Sequence, residues 1–110
     1  MNVKELVEKL ELEVIVAADL EKEIDGAYVG DLLSNVMARA KEGNLWITIQ
    51  GHQNVVAVAL LASVSAVIVV EDFEIEEEAA QRAEEKGINI LRTSLNAYQL
   101  VRELVNLGIK

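Results

Sequence analysis

The side chains able to do chemistry fall into four short polar clusters. The densest is Gln50-Gly51-His52-Gln53-Asn54. It offers three amides and an imidazole as donors and acceptors. Gly51 permits close backbone approach, and a helix beginning after Asn54 would present free N–H groups to a small anion. The same residue types also make a plain turn between a strand and a helix, with an N-cap and hydrophilic neighbours. Asp31 and Ser34 form a second cluster, read either as a polar hook or as an Asp N-cap with Ser in the first turn. Thr93 and Ser94 carry the same two readings. Glu71 and Asp72 could hold a cation or a ribose hydroxyl, or form a solvated loop in an acidic protein.

His52 is the one histidine, and there is no cysteine. A zinc site would therefore need carboxylates to complete it, and disulfides and thiol nucleophiles are excluded. As a general base His52 would need a partner acid, and the sequence shows none. A surface or capping role is expected. No phosphate loop of the G-x-x-x-x-G-K-[ST] type is present, nor G-x-G-x-x-G, G-x-S-x-G or H-E-x-x-H. No catalytic residue, metal site or cofactor is expected.

Helices and strands must position these clusters. Val3 to Leu10 reads as a helix with Leu6, Val7 and Leu10 on one face. Val14 to Ala18 reads as a buried strand, and Asp19 to Asp25 as a loop or small edge element. Gly26 to Gly30 is a second short strand. A helix capped by Asp31 follows, with Lys41 in its last turn and Gly43 at its end. Leu45 to Ile49 is a strand. Val55 to Val64 has almost no polar face and reads as a buried helix capped by Asn54, because two apolar strands on either side need a crossover. Ala66 to Val70 is the clearest buried strand. Glu76 to Lys86 is an exposed helix with acids at its positive end and Gly87 closing it. Ile88 to Leu91 is the last strand, and Ser94 is the expected cap of a final amphipathic helix.

This alternation implies an α/β fold, a mostly parallel sheet with helices on its faces. Ligands of such sheets bind beyond the carboxyl ends of the strands. All four polar clusters fall there, so Gly51, Thr93 and Ser94 join the candidate ligand positions.

The composition sets limits. The chain has 110 residues, 52% of them hydrophobic and only 4% aromatic, which predicts one domain with an aliphatic core. A net charge of −9 argues against nucleic acid and against anionic membranes. No apolar run is long enough to span a bilayer, and the first residues do not resemble a signal peptide, so the cytoplasm is the expected location.

Three stretches together resemble the DRTGG domain family. They are Gly30-Asp31-Leu32-Leu33-Ser34-Asn35-Val36-Met37-Ala38, Ala40-Lys41-Glu42-Gly43-Asn44-Leu45-Trp46-Ile47-Thr48-Ile49-Gln50, and His52-Gln53-Asn54-Val55-Val56-Ala57-Val58-Ala59. The likeness continues through Val67 to Asn96 and covers most of the chain, so residues 1–110 are read as a single DRTGG-like domain. The resemblance implies a fold like the N-terminal domain of the HPr kinase/phosphorylase, without kinase activity. It also implies a regulatory or assembly role and a tendency to form homodimers. Members occur as regulatory modules in pyrophosphatases with CBS domains, in some phosphotransacetylases, and alone beside iron-hydrogenase genes. The residues carried over as candidate site positions are Gly30, Asp31, Thr48, Gln50, His52 and Asn54.

Three functions stay open at this level. One is a regulatory module sensing a nucleotide or another small anion and acting on a metabolic or hydrogenase-associated enzyme. Another is a homodimeric interaction subunit without a small ligand. The last is an enzyme with an unrecognised site. A sensing module should bring Gln50, His52 and Thr93 into one concave pocket.

Overall fold

The computed structural model describes residues 1–110. Its elements run α1 (Val3–Leu10), β1 (Glu13–Val16), β2 (Ala27–Val29), α2 (Leu33–Arg39), β3 (Leu45–Thr48), α3 (Asn54–Ala62), β4 (Ala66–Val69), α4 (Glu77–Lys86), β5 (Ile90–Arg92) and α5 (Ala97–Asn106). The five strands form one sheet in the order β1-β5-β4-β3-β2. β2, β3, β4 and β5 are parallel, and β1 pairs antiparallel with β5 at the edge.

The central strands β3 and β4 are buried at every position and apolar at all but Thr48, as parallel strands covered by helices on both faces should be. Alternation along β3 and β4 divides the core in two. Leu45, Ile47, Ala66, Ile68 and Leu91 pack with Val3 and Leu6 of α1 and with Leu100 and Leu104 of α5. Trp46, Val67, Val69 and Ile90 pack on the other face with Val36 of α2, with Val55, Val56, Val58 and Ala59 of α3, and with Ala83 of α4. The result is three layers, with α1 and α5 on one side and α2, α3 and α4 on the other. α3 sits between α2 and α4, which explains why so apolar a helix is tolerated there. Its outer turn still exposes Leu60 and Leu61.

Four polar residues are buried, Asn44, Thr48, Ser65 and Asn89, and the last is the most enclosed. Asn89 is fully buried. Its Oδ1 accepts from the N–H groups of Ala18 and Asp19 at 2.9 and 2.8 Å. Its Nδ2 donates to the carbonyls of Asp19 and Ser65 at 2.7 and 2.9 Å. With all its hydrogen bonds made, Asn89 ties the loop after β1 to the strands beside it instead of destabilising the interior.

Several expected termini shift for local reasons. Asp31 does not cap α2. Leu32 occupies that position with no side-chain bond, because the Asp31 carboxylate is engaged elsewhere. α2 ends at Arg39, before Lys41 and Gly43, with Ala40 extended. Asn54 is the first residue of α3 and not its cap. Ser94 does not cap α5: Asn96 does, in a reciprocal pair with Gln99. β1 is Glu13–Val16, shorter at its end and one residue earlier at its start than the apolar run, because Ala18 is drawn to Asn89. β5 begins at Ile90 because the Ile88 N–H still bonds Ala83 in closing α4.

Candidate functional site

The carboxyl ends of β2, β3, β4 and β5 share one edge of the sheet. β1 runs the other way, so its first residue, Glu13, reaches the same edge opposite Arg92. The rim therefore runs from Asp31 through Thr48 and Glu71 to Arg92 and Glu13.

Its most ordered part joins the β2 and β3 ends. The Thr48 hydroxyl donates to Asp31 Oδ1 at 2.8 Å, and the Ile49 N–H donates to the same oxygen at 2.9 Å. The Gln50 N–H donates to Thr48 Oγ1 at 3.2 Å, and Gln50 Nε2 donates to the Asp31 carbonyl. Thr48 is only 2% exposed. Asp31, Thr48 and Gln50 are thus brought together as expected, and they are spent largely on one another. Gly30 adjoins them, with its carbonyl accepting from Trp46 Nε1 at 2.9 Å.

The next turn is tied to the start of α4. The Gly51 carbonyl accepts from the Glu76 N–H at 2.9 Å. A Cβ at Gly51 would lie 2.0 Å from the Glu74 carbonyl oxygen and 2.7 Å from Ile75 Cα. The close approach that this glycine permits is to the chain's own backbone. His52 Nδ1 accepts from the Asn54 N–H at 3.1 Å, so the imidazole satisfies one N–H of a helix start whose N-cap, Gln53, makes no side-chain bond. Its Nε2 stands 3.8 Å from Glu76 Oε1, and the ring is about half exposed. The crevice behind this turn is lined by Gln50, Gly51 and His52 with Val55, Val69, Ile75 and other apolar side chains.

Thr93 and Ser94 lie at the end of β5, with β4 between them and the Asp31 group. The Thr93 N–H donates to the Val69 carbonyl, its own carbonyl accepts from Asp72, and its hydroxyl accepts from the Leu95 N–H at 3.2 Å. Ser94 is exposed. Thr93 does not line the crevice of Gln50 and His52. The nine candidate positions accordingly form two groups on one rim.

Two functional-looking residues were absent from the candidates. Arg92 donates through Nε and Nη2 to the two carboxylate oxygens of Glu13 at 2.9 and 3.2 Å. Its pKa is raised above the ordinary arginine value, first by this hydrogen bond and then by the charges of Glu13, Asp72 and Glu74. The signal for Arg92 was its place beside Thr93. Glu13 gave none, since its pairing joins residues 79 apart. Glu71 and Asp72 both hold left-handed backbone, at φ 58 and 53. Their N–H groups donate to Leu95 and Thr93, which locks the β4 turn against the β5 turn. No three His, Asp or Glu side chains come together as a metal site. No helix is long and apolar enough to cross a membrane.

No curated protein matches the chain. Among solved structures, the fold is similar to that of the CBS and DRTGG domains of the regulatory region of a Clostridium perfringens pyrophosphatase, complexed with its activator, diadenosine tetraphosphate. The TM-score is 0.76 at 17% identity, over 92% of this chain and 44% of that one. The chain thus spans less than half the length of that structure, and the likeness is one of fold. The DRTGG domain family model matches residues 5–107. With nearly the whole sequence matched and the α/β architecture in agreement, the chain belongs to the DRTGG domain family.

Proposed function

We propose that the chain is a regulatory module without a reaction of its own, that it takes a small anionic ligand such as a nucleotide at the carboxyl rim, and that it acts on a metabolic or hydrogenase-associated enzyme. The observation that carries this reading is the Arg92 end of the rim. Arg92, the last residue of β5, is the one lysine or arginine among the strand ends and turns of this rim, and Thr93 and Ser94 follow it directly in the chain. Glu13 holds the guanidinium in a fixed orientation, and a planar guanidinium suits phosphate oxygens. Gly30, Asp31, Thr48 and Gln50 shape the neighbouring wall, and Gly51, His52 and Asn54 the turn after it. The family's presence in a pyrophosphatase regulatory region that was solved with a nucleotide activator supports the same class of role.

The test is thermal unfolding against nucleotides, acyl phosphates and pyrophosphate. A ligand at about a hundredfold over its dissociation constant adds about 2.7 kcal/mol, which raises the melting point of a domain this size by roughly 10 °C or more. The shift should vanish in Arg92→Gln and shrink in Thr93→Val and His52→Ala. A shift that survives in all three variants places the ligand elsewhere.

A second reading, a homodimeric assembly subunit, is favoured by the free side of β2. This edge strand pairs on one side only. Val29 is 48% exposed at its end, with Leu32 and Ile49 exposed nearby. An unpaired edge beside apolar side chains is a surface that a second copy can cover. Sedimentation should then show a dimer that Val29→Lys converts to a monomer.

A further inference from the structure

The sheet has two free edges, and only one of them is guarded. β1 carries a register shift between Val14 and Val16, and Glu13 at its start is held by Arg92. A bulge and a charge are common means of keeping an edge from pairing. β2 has neither. Its residues, Ala27, Tyr28 and Val29, are uncharged, and its register with β3 is regular. The cover over this strand is also incomplete. Ala27 and Val29 lie beside Leu45 and Ile47, on the face that α1 and α5 cover. Leu45 and Ile47 are fully buried, whereas Ala27 is exposed and Val29 is 48% exposed. The helical layer on this face therefore stops at β3.

On the opposite face Tyr28 lies beside Trp46, in the core that Val36 of α2 joins. α2 is thinly anchored: five of its seven residues are exposed. Leu32, Asn35 and Arg39 follow at spacings of three and four, which puts them on one flank of the helix. Asn35 Nδ2 donates to the Tyr28 hydroxyl at 2.8 Å, so this flank is the one over β2, and α3 packs on the other. Arg39 is the one charge on the flank, and none of the molecule's ion pairs includes it.

We propose that two copies of the chain join edge to edge, β2 pairing antiparallel with the partner's β2, so that α2 packs against the partner's α2 across a two-fold axis. This rests on the homodimeric reading above and gives it a geometry. Spacing decides for a second copy over a foreign strand. Strands lie about 4.8 Å apart, and α2 sits over the gap between the two strands it connects, β2 and β3. A two-fold axis beside β2 then sets the two α2 helices about two strand spacings apart, within the roughly 8–10 Å of packed helices. An extended segment of another protein would pair with β2 and leave the α2 flank bare. A strand of three residues covers far less than the roughly 800 Å² per partner of a stable interface, so the helix flank has to take part. With the axis at Tyr28, Val29 lies opposite the partner's Ala27, an apolar cross-strand pair. Asn35 faces the partner's Asn35, and Leu32 meets the stem of the partner's Arg39. Asp31 falls opposite the partner's Asp25. Arg39 lines one groove with Asp25 in each copy, so the partner's Arg39 stands between these two carboxylates and offsets their repulsion.

The chain has no cysteine, so a single introduced thiol reports proximity without background. Asn35→Cys should give a disulfide-linked dimer on a non-reducing gel after mild oxidation. Tyr98→Cys, at a position 81% exposed on α5, should stay monomeric under the same conditions. Arg39→Glu should raise the dimer dissociation constant on the order of tenfold in sedimentation. Asn35 and Arg39 are exposed, so circular dichroism of the variants should match the parent. A dimer that Val29→Lys dissociates, but that Asn35→Cys does not cross-link or Arg39→Glu does not weaken, overturns the α2 contact and leaves the β2-edge reading standing. A monomer at every protein concentration overturns both. So does a dimer that survives Val29→Lys and cross-links through Tyr98→Cys, which would put the interface on α5.

Discussion

Asp31 shows how much depends on one carboxylate. It looked like a helix cap, since Asp before an apolar helical pattern usually is one. In the fold its Oδ1 takes both the Thr48 hydroxyl and the Ile49 N–H, bonds that cross from one strand end to the next. Asp31→Ala should therefore cost about 1–3 kcal/mol, because the buried Thr48 hydroxyl loses its acceptor, measured as a lower urea midpoint at an unchanged slope. A loss of a few tenths would return Asp31 to an incidental surface role. Gly51 makes a sharper case. A methyl group there meets backbone atoms of Glu74 and Ile75 that have nowhere to move, and overpacking of this kind costs on the order of 1–3 kcal/mol or more. Gly51→Ala should lower the melting point in a thermal scan of the free protein. The special geometry of Gly51 was visible in the sequence as a glycine between a strand and a helix. What approached it was not, because Glu74 and Ile75 are distant along the chain.

Among the elements, the strands and helices were largely legible because their apolar periods are strong. α1 and the close of α4 at Gly87 lie where the pattern puts them. The capping residues were less legible, since Asp, Ser, Thr and Asn compete for the same positions and the choice depends on where the preceding turn leaves the chain. α5 illustrates this. Ser94 and Asn96 both precede it, and only Asn96 has Gln99 three residues on to return the bond to its own N–H. Asn96→Ala should cost about 1 kcal/mol, whereas Ser94→Ala should change stability by less than about 0.5 kcal/mol. Parallel urea titrations of the two variants check both values, and equal losses would contradict the assigned cap. α3 follows a different logic. Its apolar surface suits a helix flanked on both sides, and its neighbours α2 and α4 supply that flanking.

For the molecule as a whole, the acid excess acts on stability as well as on partners. Like charges on a compact body repel more than on an expanded chain. Adding simple salt up to about 0.15 M shortens the screening length to about 8 Å, so the thermal midpoint should rise over that range. A flat or falling midpoint would mean that specific ion pairs outweigh the general repulsion. The same excess makes Arg92 on the rim conspicuous.

The α/β class, the parallel strands and the aliphatic core were determined by sequence alone, through local periodicity and composition. So was the convergence of the polar turns on one edge, since parallel strands joined by crossover helices leave their carboxyl ends on the same side. The tertiary structure alone decided the strand order, the antiparallel seat of β1 that brings Glu13 to Arg92, and the division of the candidate residues into two groups. Each of these joins segments far apart in the chain. Such contacts depend on how whole elements pack, and no local pattern in the sequence encodes them.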